Sequence, residues 1–193
     1  RLLFIRGAGD HFCAGGDLRD VREHLMTPDL GRQMCAFMTD VLTGYQRSAM
    51  YIVVIIEGAA IGGGAELTTV ADFVIADFNA SIAFVQAKLG VTPGWGGGQR
   101  LIERVGKRRT LQLLAMPKRL TAVEGEHLGL IDCVTDNVEQ EMQQVLERMT
   151  SIPSNCIDHL LTWMKQPELL EEIDAFEHTW ASDAHRRALG LSS

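Results

Sequence analysis

The sequence predicts an α/β fold, in which short apolar strands alternate with glycine-rich loops and amphipathic helices and a helical region follows. The β-branched run at 51–58 is typical of a strand that is buried on both faces. Apolar residues between Leu30 and Tyr45 recur at helical spacing. Segments rich in glycine join predicted strands to predicted helices at 7–16, 62–64 and 90–98.

The other elements are predicted in order along the chain from the same signals. Short apolar runs bounded by turn residues predict strands at 1–7, 73–77, 81–85 and 130–134. Helices are predicted after Asp17, over 65–73, after the loop at 90–101, from the capping box Thr121–Glu124 to Gly129, and over Val138–Met149. From Ser154 onward we expect helices anchored by Trp163, Leu169, Phe176 and Trp180. The predicted division is therefore a core at 1–135 and a helical region at 136–193.

Composition narrows the class of protein. A chain of 193 residues with 46% hydrophobic and 22% charged residues is expected to bury a substantial core in one domain. A net charge of −7 and a pI near 5.3 argue against a nucleic-acid footprint, and no apolar run is long enough to predict a membrane span. Four scattered cysteines without metal-ligand spacing favour reduced thiols inside the cell, and we expect no bound metal.

The start of the chain leads us to expect a further segment before it. The chain opens at Arg1, without a methionine, directly on a predicted strand that has no earlier partner. We therefore expect a further segment upstream, which would carry any targeting leader. The expected location is cytoplasmic, with the mitochondrion as the alternative.

The glycine-rich loops have two interpretations. Glycine either allows backbones to pack closely, or it exposes backbone N–H groups at strand-to-helix junctions, where the first amides of a helix have no internal partner. The sequence contains no P-loop, no complete G-x-G-x-x-G, no G-x-S-x-G and no H-E-x-x-H motif. These loops therefore serve neither a nucleotide fingerprint nor one of the common hydrolase motifs.

Three motifs together resemble the enoyl-CoA hydratase/isomerase, or crotonase, superfamily. They are HFCAGGDL at 11–18, GAAIGGGAELTTVADF at 58–73 and LGVTPGWGGGQRL at 89–101, and the resemblance covers nearly the whole chain. It implies a spiral of ββα units with a carboxyl-terminal helical region, lacking the first amino-terminal turn of the superfamily. It also implies an acyl-CoA thioester as partner and a homotrimer or homohexamer.

The resemblance also assigns site residues. The N–H groups of Gly16 and Gly63 are implied as the donors that stabilise a thioester enolate, and Glu66 matches the first of two glutamates that hydratases use. Contacts to the acyl-CoA are implied at Phe12, Cys13, Ala14, Gly64 and Trp95. Each residue also has a purely structural interpretation. Glu66 could stabilise the amino terminus of a helix, Trp95 and Cys13 could be packing residues, and Asp17 could be a helix cap.

The expected reaction depends on the position of the second glutamate, which is Gln86 here. An amide does not act as a general acid or base, so the usual hydration mechanism is disfavoured. The runs Ala65–Thr69 and Pro93–Gly97 resemble the branch that contains ethylmalonyl-CoA decarboxylase. That resemblance implies decarboxylation of a short branched malonyl thioester without an added cofactor. Gln86 is then expected to hydrogen-bond the departing carboxylate, and Glu66 to position the substrate or help deliver the proton to the α-carbon.

Two alternatives remain open at this stage. One is an enoyl-CoA isomerase or an atypical hydratase in which Glu66 alone moves the proton. The other is a member without catalytic activity that retains CoA binding or serves as an oligomeric scaffold.

Overall fold

The computed structural model describes residues 1–169 and 171–190, and in that part of the chain seven strands form two sheets. The strands are β1 Leu2–Arg6, β2 Tyr51–Ile56, β3 Ala59–Ile61, β4 Phe73–Asp77, β5 Ser81–Ala83, β6 Leu120–Thr121 and β7 Cys133–Thr135. The first sheet has the order β1-β2-β4-β7 and is parallel throughout. In the second sheet, β5 pairs with β3 in parallel and with β6 in antiparallel orientation.

Helices of very different length follow the strands. They are α1 Leu18–His24, α2 Pro28–Arg47, α3 Gly63–Thr68, α4 Gly97–Ala115, α5 Ala122–Leu128, α6 Val138–Ser151, α7 Ser154–Lys165, α8 Glu172–Thr179 and α9 Asp183–Ala188, with a 3₁₀ helix at Gln86–Leu89. None of the helices in the described ranges combines the length and the apolar content that a membrane crossing requires.

The chain alternates between the two sheets. One unit runs from β2 in the first sheet to β3 in the second and then to α3, and the next runs from β4 to β5 and then through the 3₁₀ helix to α4. An isolated parallel bridge joins Cys13 to Ala60 of β3. The segment before α1 therefore runs beside the second sheet, as β3 does before α3. This succession is the spiral of ββα units that the resemblance implies.

The core lies on both faces of β2. Every residue from Ile52 to Ile56 is fully buried, as the β-branched run predicts. On one face Val54 and Ile56 pack in a cluster with Phe12 and Leu101. On the other face, Val138 and Val145 of α6 pack against Val53 and Ile55. The predicted division into a core at 1–135 and a helical region at 136–193 stays a prediction.

Several predicted boundaries are wrong, each for a local reason. The helix predicted over 65–73 ends at Thr68, because the chain must turn to start β4 at Phe73. The strand predicted at 130–134 starts only at Cys133, because the amides of Leu130 and Ile131 both donate to the Gly125 carbonyl. The short strands β3 and β6 are absent from the prediction.

Helix caps follow the sequence signals closely. The Thr121 hydroxyl accepts from the Glu124 amide at 3.2 Å, and the Glu124 carboxylate accepts from the Thr121 amide at 3.0 Å. Gly129 then ends α5 with a left-handed φ of 82°. The Asp17 carboxylate caps α1 by accepting from the Arg19 amide at 2.8 Å, so the structural interpretation of Asp17 is confirmed.

Candidate active site

The Cys13–Ala60 bridge brings the first two glycine loops together. The Cys13 amide donates to the Ala59 carbonyl at 3.1 Å, and the Ile61 amide donates to the Cys13 carbonyl at 2.9 Å. Gly16 and Gly63 each lie three residues beyond the bridged pair. A Cβ atom on Gly15 would lie 3.0 Å from the Gly63 nitrogen, so the two glycine segments are still close where they leave the sheet.

The N–H groups of Gly16 and Gly63 have no acceptor in the described residues. Gly63 is the first residue of α3, and Gly16 lies just before the cap of α1. Neither N–H group donates a hydrogen bond to another residue in the described part of the chain. Gly16 is exposed and Gly63 is half-buried, and their role as donors to one bound oxygen stays a prediction.

Close packing explains why the flanking positions are glycine. A Cβ atom on Gly64 would lie 2.0 Å from the Cys13 carbonyl oxygen, and one on Gly15 would lie 3.0 Å from the Gly63 nitrogen. Gly15 also has a left-handed φ of 91°. The packing and ligand interpretations of the glycine loops are thus compatible, because different glycines serve each purpose.

The Glu66 carboxylate is the centre of a buried hydrogen-bond network. Its side chain is 2% exposed. One oxygen, Oε1, accepts from Gln86 Nε2 at 2.7 Å and from the Gly94 amide at 3.2 Å. The other, Oε2, accepts from the amides of Trp95 and Gly97, both at 2.9 Å. Four donors therefore occupy the carboxylate and tie the third glycine loop to α3.

Gln86 is oriented by this carboxylate. Because Nε2 donates to Glu66, the amide carbonyl oxygen points to the opposite side. The residue is 7% exposed, and Oε1 has no hydrogen-bond partner in the described residues. A buried acceptor without a partner is costly, so the group that comes to this oxygen is expected to carry a hydrogen.

Trp95 covers Gly63. A Cβ atom placed on Gly63 would lie 2.7–2.8 Å from three carbons of the indole ring. The indole also packs against a small cluster that contains Leu42, Ile52 and Val70. Trp95 therefore lies against Gly63 and packs on the core, and its contact with an acyl group stays a prediction.

Phe12, Cys13 and Ala14, which the resemblance implies for CoA contact, differ in their solvent exposure. The Phe12 side chain is buried in the main core cluster, so only its backbone faces the loop. Cys13 is tied to β3 through its amide and its carbonyl, and its Sγ accepts from the Gly15 amide at 3.4 Å. Ala14 is exposed. The roles of these three residues in binding stay predictions.

Arg100 is a member of the network that the sequence analysis did not name. It is 4% exposed, donates from Nε to Thr69 Oγ1 at 2.8 Å, and donates from Nη2 to the Trp95 carbonyl at 2.6 Å. Burial lowers the pKa of its guanidinium, and the nearby charges of Glu66 and Glu103 oppose that effect. A cation in the first turn of α4 opposes the helix dipole, and that conflict is a signal visible in the sequence.

Other features of the surface lie away from this network. A cleft of about 440 Å³ between α4 and α5 shares no residue with it and is lined in part by Arg109, Met116 and His127. No group of three or more His, Cys, Asp or Glu side chains with metal-binding geometry occurs among residues 1–169 and 171–190. All four cysteines are free thiols.

The comparison with known families decides the relationship. The family profile described as enoyl-CoA hydratase/isomerase matches residues 1–182. The chain belongs to the enoyl-CoA hydratase/isomerase family. The motif resemblance is therefore confirmed at the level of the family.

Several curated relatives of this family member are ethylmalonyl-CoA decarboxylases. The ethylmalonyl-CoA decarboxylases of Rattus norvegicus and Mus musculus are 33% and 34% identical to it over 97% of the chain. That of Xenopus laevis is 40% identical over 71% of the chain. The chain spans 66%, 62% and 46% of these three proteins, respectively.

Solved structures of the family confirm the fold. An enoyl-CoA hydratase from Bacillus anthracis superposes with a TM-score of 0.87 at 25% identity, covering 98% of this chain and 77% of that one. An enoyl-CoA hydratase from Thermoplasma volcanium has a TM-score of 0.82 at 23% identity, covering 98% of this chain and 78% of that one. The second similarity concerns the fold alone.

Proposed function

We propose that this family member decarboxylates a short branched malonyl-CoA thioester, such as ethylmalonyl-CoA or methylmalonyl-CoA. The observation that carries the proposal is the engagement of Glu66 by four N–H donors. A carboxylate whose lone pairs are occupied is a poor general base, and Gln86 supplies no second carboxylate. Decarboxylation needs no base to begin, so it suits this site better than hydration does.

The reaction balances with the groups at hand. The bond between the α-carbon and the carboxylate breaks, carbon dioxide leaves, and the electron pair forms the thioester enolate. The amides of Gly16 and Gly63 are proposed to donate to the enolate oxygen, although their convergence on one atom stays a prediction. A solvent proton then adds to the α-carbon. Coenzyme A is part of the substrate, so the step needs no separate cofactor.

Backbone donors are an effective means of stabilising such an enolate. They are held by the fold before the substrate arrives, so little reorganisation accompanies the reaction. One such donor contributes roughly 2.7–4 kcal/mol to transition-state stabilisation in comparable sites. The names of the curated relatives support the same reaction.

The geometry changes the expected role of Gln86. Its free atom is an acceptor, because the amide nitrogen is held by Glu66. A carboxylate also accepts hydrogen bonds, so it would meet Oε1 unfavourably. We therefore place the departing carboxylate away from Oε1 and expect water, or another group that carries a hydrogen, beside Gln86.

An enoyl-CoA isomerase or hydratase is the second candidate, favoured by the name of the solved neighbour from Bacillus anthracis. It would require Glu66 to release at least one of its four donors when substrate binds. A protein without catalysis that keeps CoA binding is the third candidate. It would retain the glycine loops but turn over no thioester.

A mass-resolved product assay separates the three candidates. Purified protein is incubated separately with ethylmalonyl-CoA, methylmalonyl-CoA and crotonyl-CoA. We expect loss of carbon dioxide from the first two substrates. Addition of water to crotonyl-CoA alone would overturn the proposal, and binding without turnover would favour the third candidate.

A proline substitution tests the amide donor at Gly16. A Cβ atom there would have only Val21 Cγ2 nearby, at 3.9 Å, and Gly16 has no left-handed φ. Gly16→Ala therefore keeps the N–H group with little strain, whereas Gly16→Pro removes it. We expect Gly16→Pro to lower kcat by about 10²–10³-fold relative to Gly16→Ala. Equal activity in the two folded variants would refute the assignment.

We also propose that the protein forms a homotrimer or homohexamer. The support is a set of exposed apolar side chains on α7 and α8 and on the segment between them, which includes Met164, Leu169, Ile173 and Phe176. A surface of this kind is usually covered by a partner.

A further inference from the structure

We propose that Trp95 limits the size of the acyl group bound beside Gly63, and that Arg100 is the positioning residue that holds Trp95 there. The inference rests on the proposed function only in assuming that a thioester carbonyl binds at the Gly63 amide. It adds a determinant of specificity and a role for Arg100, a buried residue of the third motif to which the resemblance assigned no role.

The first step is the position of the indole. Three of its ring carbons occupy the space that a Gly63 side chain would enter, at 2.7–2.8 Å from an ideal Cβ atom. A carbonyl oxygen bound to the Gly63 amide would place its acyl substituents close to this ring. The indole is backed by Leu42, Ile52 and Val70, which are buried. The Trp95 indole is therefore supported from behind by buried side chains.

The second step is the way the backbone of Trp95 is held. Its amide donates to Glu66 Oε2 at 2.9 Å, and its carbonyl accepts from Arg100 Nη2 at 2.6 Å. Trp95 stands between Gly94 and Gly96, where the chain is intrinsically permissive. Two hydrogen bonds to buried charged groups thus fix a residue that its neighbours would leave mobile.

The third step concerns Arg100 itself. Its Nε donates to Thr69 Oγ1 at 2.8 Å, and that hydroxyl donates to the Glu66 carbonyl at 2.6 Å. The guanidinium therefore links α3, α4 and the Trp95 loop in one network. A Cβ atom on Gly96 would lie 2.8 Å from Arg100 Nη1, so the loop closes tightly around the guanidinium. Arg100 touches no proposed reacting atom and acts only through Trp95.

The consequence is a fixed upper limit on the acyl group. If the indole cannot retreat, longer acyl chains must either displace it or leave the carbonyl misplaced at the Gly63 amide. Short branched acyl groups would fit without this cost. A single methylene in an apolar pocket changes discrimination by 10-fold or more, so a wall of this kind is sufficient to select for length.

Binding of saturated acyl-CoA thioesters tests the inference without requiring any turnover. Affinities for acetyl-, butyryl-, hexanoyl- and octanoyl-CoA are measured by calorimetry for the wild-type chain and for Trp95→Ala. We expect wild-type affinity to fall beyond butyryl-CoA. We expect Trp95→Ala to raise the octanoyl-to-butyryl affinity ratio by about tenfold or more. Trp180→Phe, a change at an exposed tryptophan after α8, serves as the control and should leave the ratio unchanged.

Arg100→Met tests the positioning role. If Arg100 acts by holding Trp95, this variant should raise the same ratio, by less than Trp95→Ala does. A merely structural arginine would weaken all four affinities equally and leave the ratio where it was. Trp95→Phe provides a milder change if Trp95→Ala does not fold, and it should shift the ratio in the same direction.

The outcomes separate this inference from the proposed reaction. An unchanged ratio in folded Trp95 variants, or no binding of any thioester by the wild-type chain, would overturn the inference. A shifted ratio in a protein that releases no carbon dioxide from ethylmalonyl-CoA would support the inference and refute the decarboxylase proposal.

Discussion

Glu66 and Gln86 show how a single pair of side chains defines the chemistry available to this site. Gln86 Nε2 lies 2.7 Å from Glu66 Oε1, and both residues are buried. A second carboxylate at position 86 would meet the first at close range, where both cannot ionise together. The amide removes that conflict and also removes the second acid–base group. In the proposed function, this difference between two side chains of similar shape favours decarboxylation over hydration.

The first residue-scale prediction concerns Gln86→Glu. The two carboxyl groups should share one proton, so the pKa for the second ionisation of the pair should lie above the unfolded value near 4.3. Because the folded state then binds more protons than the unfolded state, stability should fall as pH rises through and above that value. We expect the variant to be less stable than wild type by roughly 1–3 kcal/mol at pH 8, with a smaller difference at pH 5.

Urea unfolding at the two pH values provides the measurement. Gln86→Met, which also breaks the hydrogen bond to Glu66 but adds no charge, serves as the matched control. Its loss of stability should be similar at pH 5 and pH 8. If Gln86→Glu loses the same amount at both pH values, the two carboxyl groups do not interact as proposed.

At the scale of elements, the parallel sheet is held by a repeated aspartate clamp. The Asp72 carboxylate accepts from the Ile52 amide, and the Asp72 amide donates to the Ile52 carbonyl. Asp132 makes the same pair of hydrogen bonds with Val74. Each aspartate also pairs with a cation, Lys165 in the first case and Arg104 in the second. The clamp ties the segment before each strand to the neighbouring strand.

Asp132→Ala tests the clamp at its second occurrence. The Val74 amide and the Arg104 guanidinium would both lose their acceptor, Asp132 Oδ2. We expect a loss of about 1.5–3 kcal/mol in the free energy of unfolding, because hydrogen bonds to charged groups are worth that much. Urea denaturation gives the value, and Asp136→Ala, at an exposed position nearby, should change stability far less. A small effect at Asp132 equal to that at Asp136 would contradict the clamp.

The sequence predicted elements with a clear period and missed those without one. The buried β2, the amphipathic α2 and the capped α5 were predictable because each carries a hydrophobic or capping signal. The strands β3 and β6 have three and two residues, which is too short for any periodicity. Both strands form because the tertiary structure places them next to β5, with which each of them pairs.

The candidate site was predictable in part for similar reasons. Gly16, Gly63 and Glu66 were proposed by motif resemblance and their roles stay predictions, but the Cys13–Ala60 bridge shows that the two glycine segments are adjacent. The direction of the Gln86 amide could not be predicted, because it depends on the donors that surround Glu66. Arg100 was missed, although its place in the first turn of α4 is an electrostatic anomaly that the sequence contains.

At the scale of the whole molecule, apolar side chains remain exposed along the carboxyl-terminal helices. Ile173 is 71% exposed and Phe176 is 57% exposed, and their spacing places them on the same face of α8. Single exposed apolar residues are ordinary, but a run of them across neighbouring helices is typical of an interface. The family fold and this surface together lead to the last prediction.

Ile173→Glu should dissociate the proposed oligomer. Burying an unpaired carboxylate in an apolar interface costs several kcal/mol, so we expect the dissociation constant to rise by roughly 100-fold or more. Sedimentation velocity over a range of protein concentrations measures the change, and Glu172→Gln, at the adjacent exposed residue, should leave the oligomer intact. A wild-type chain that sediments as a monomer at all concentrations would refute the proposed assembly. An oligomer that Ile173→Glu does not weaken would place the interface elsewhere, on a surface such as the exposed face of α2, which carries Phe37.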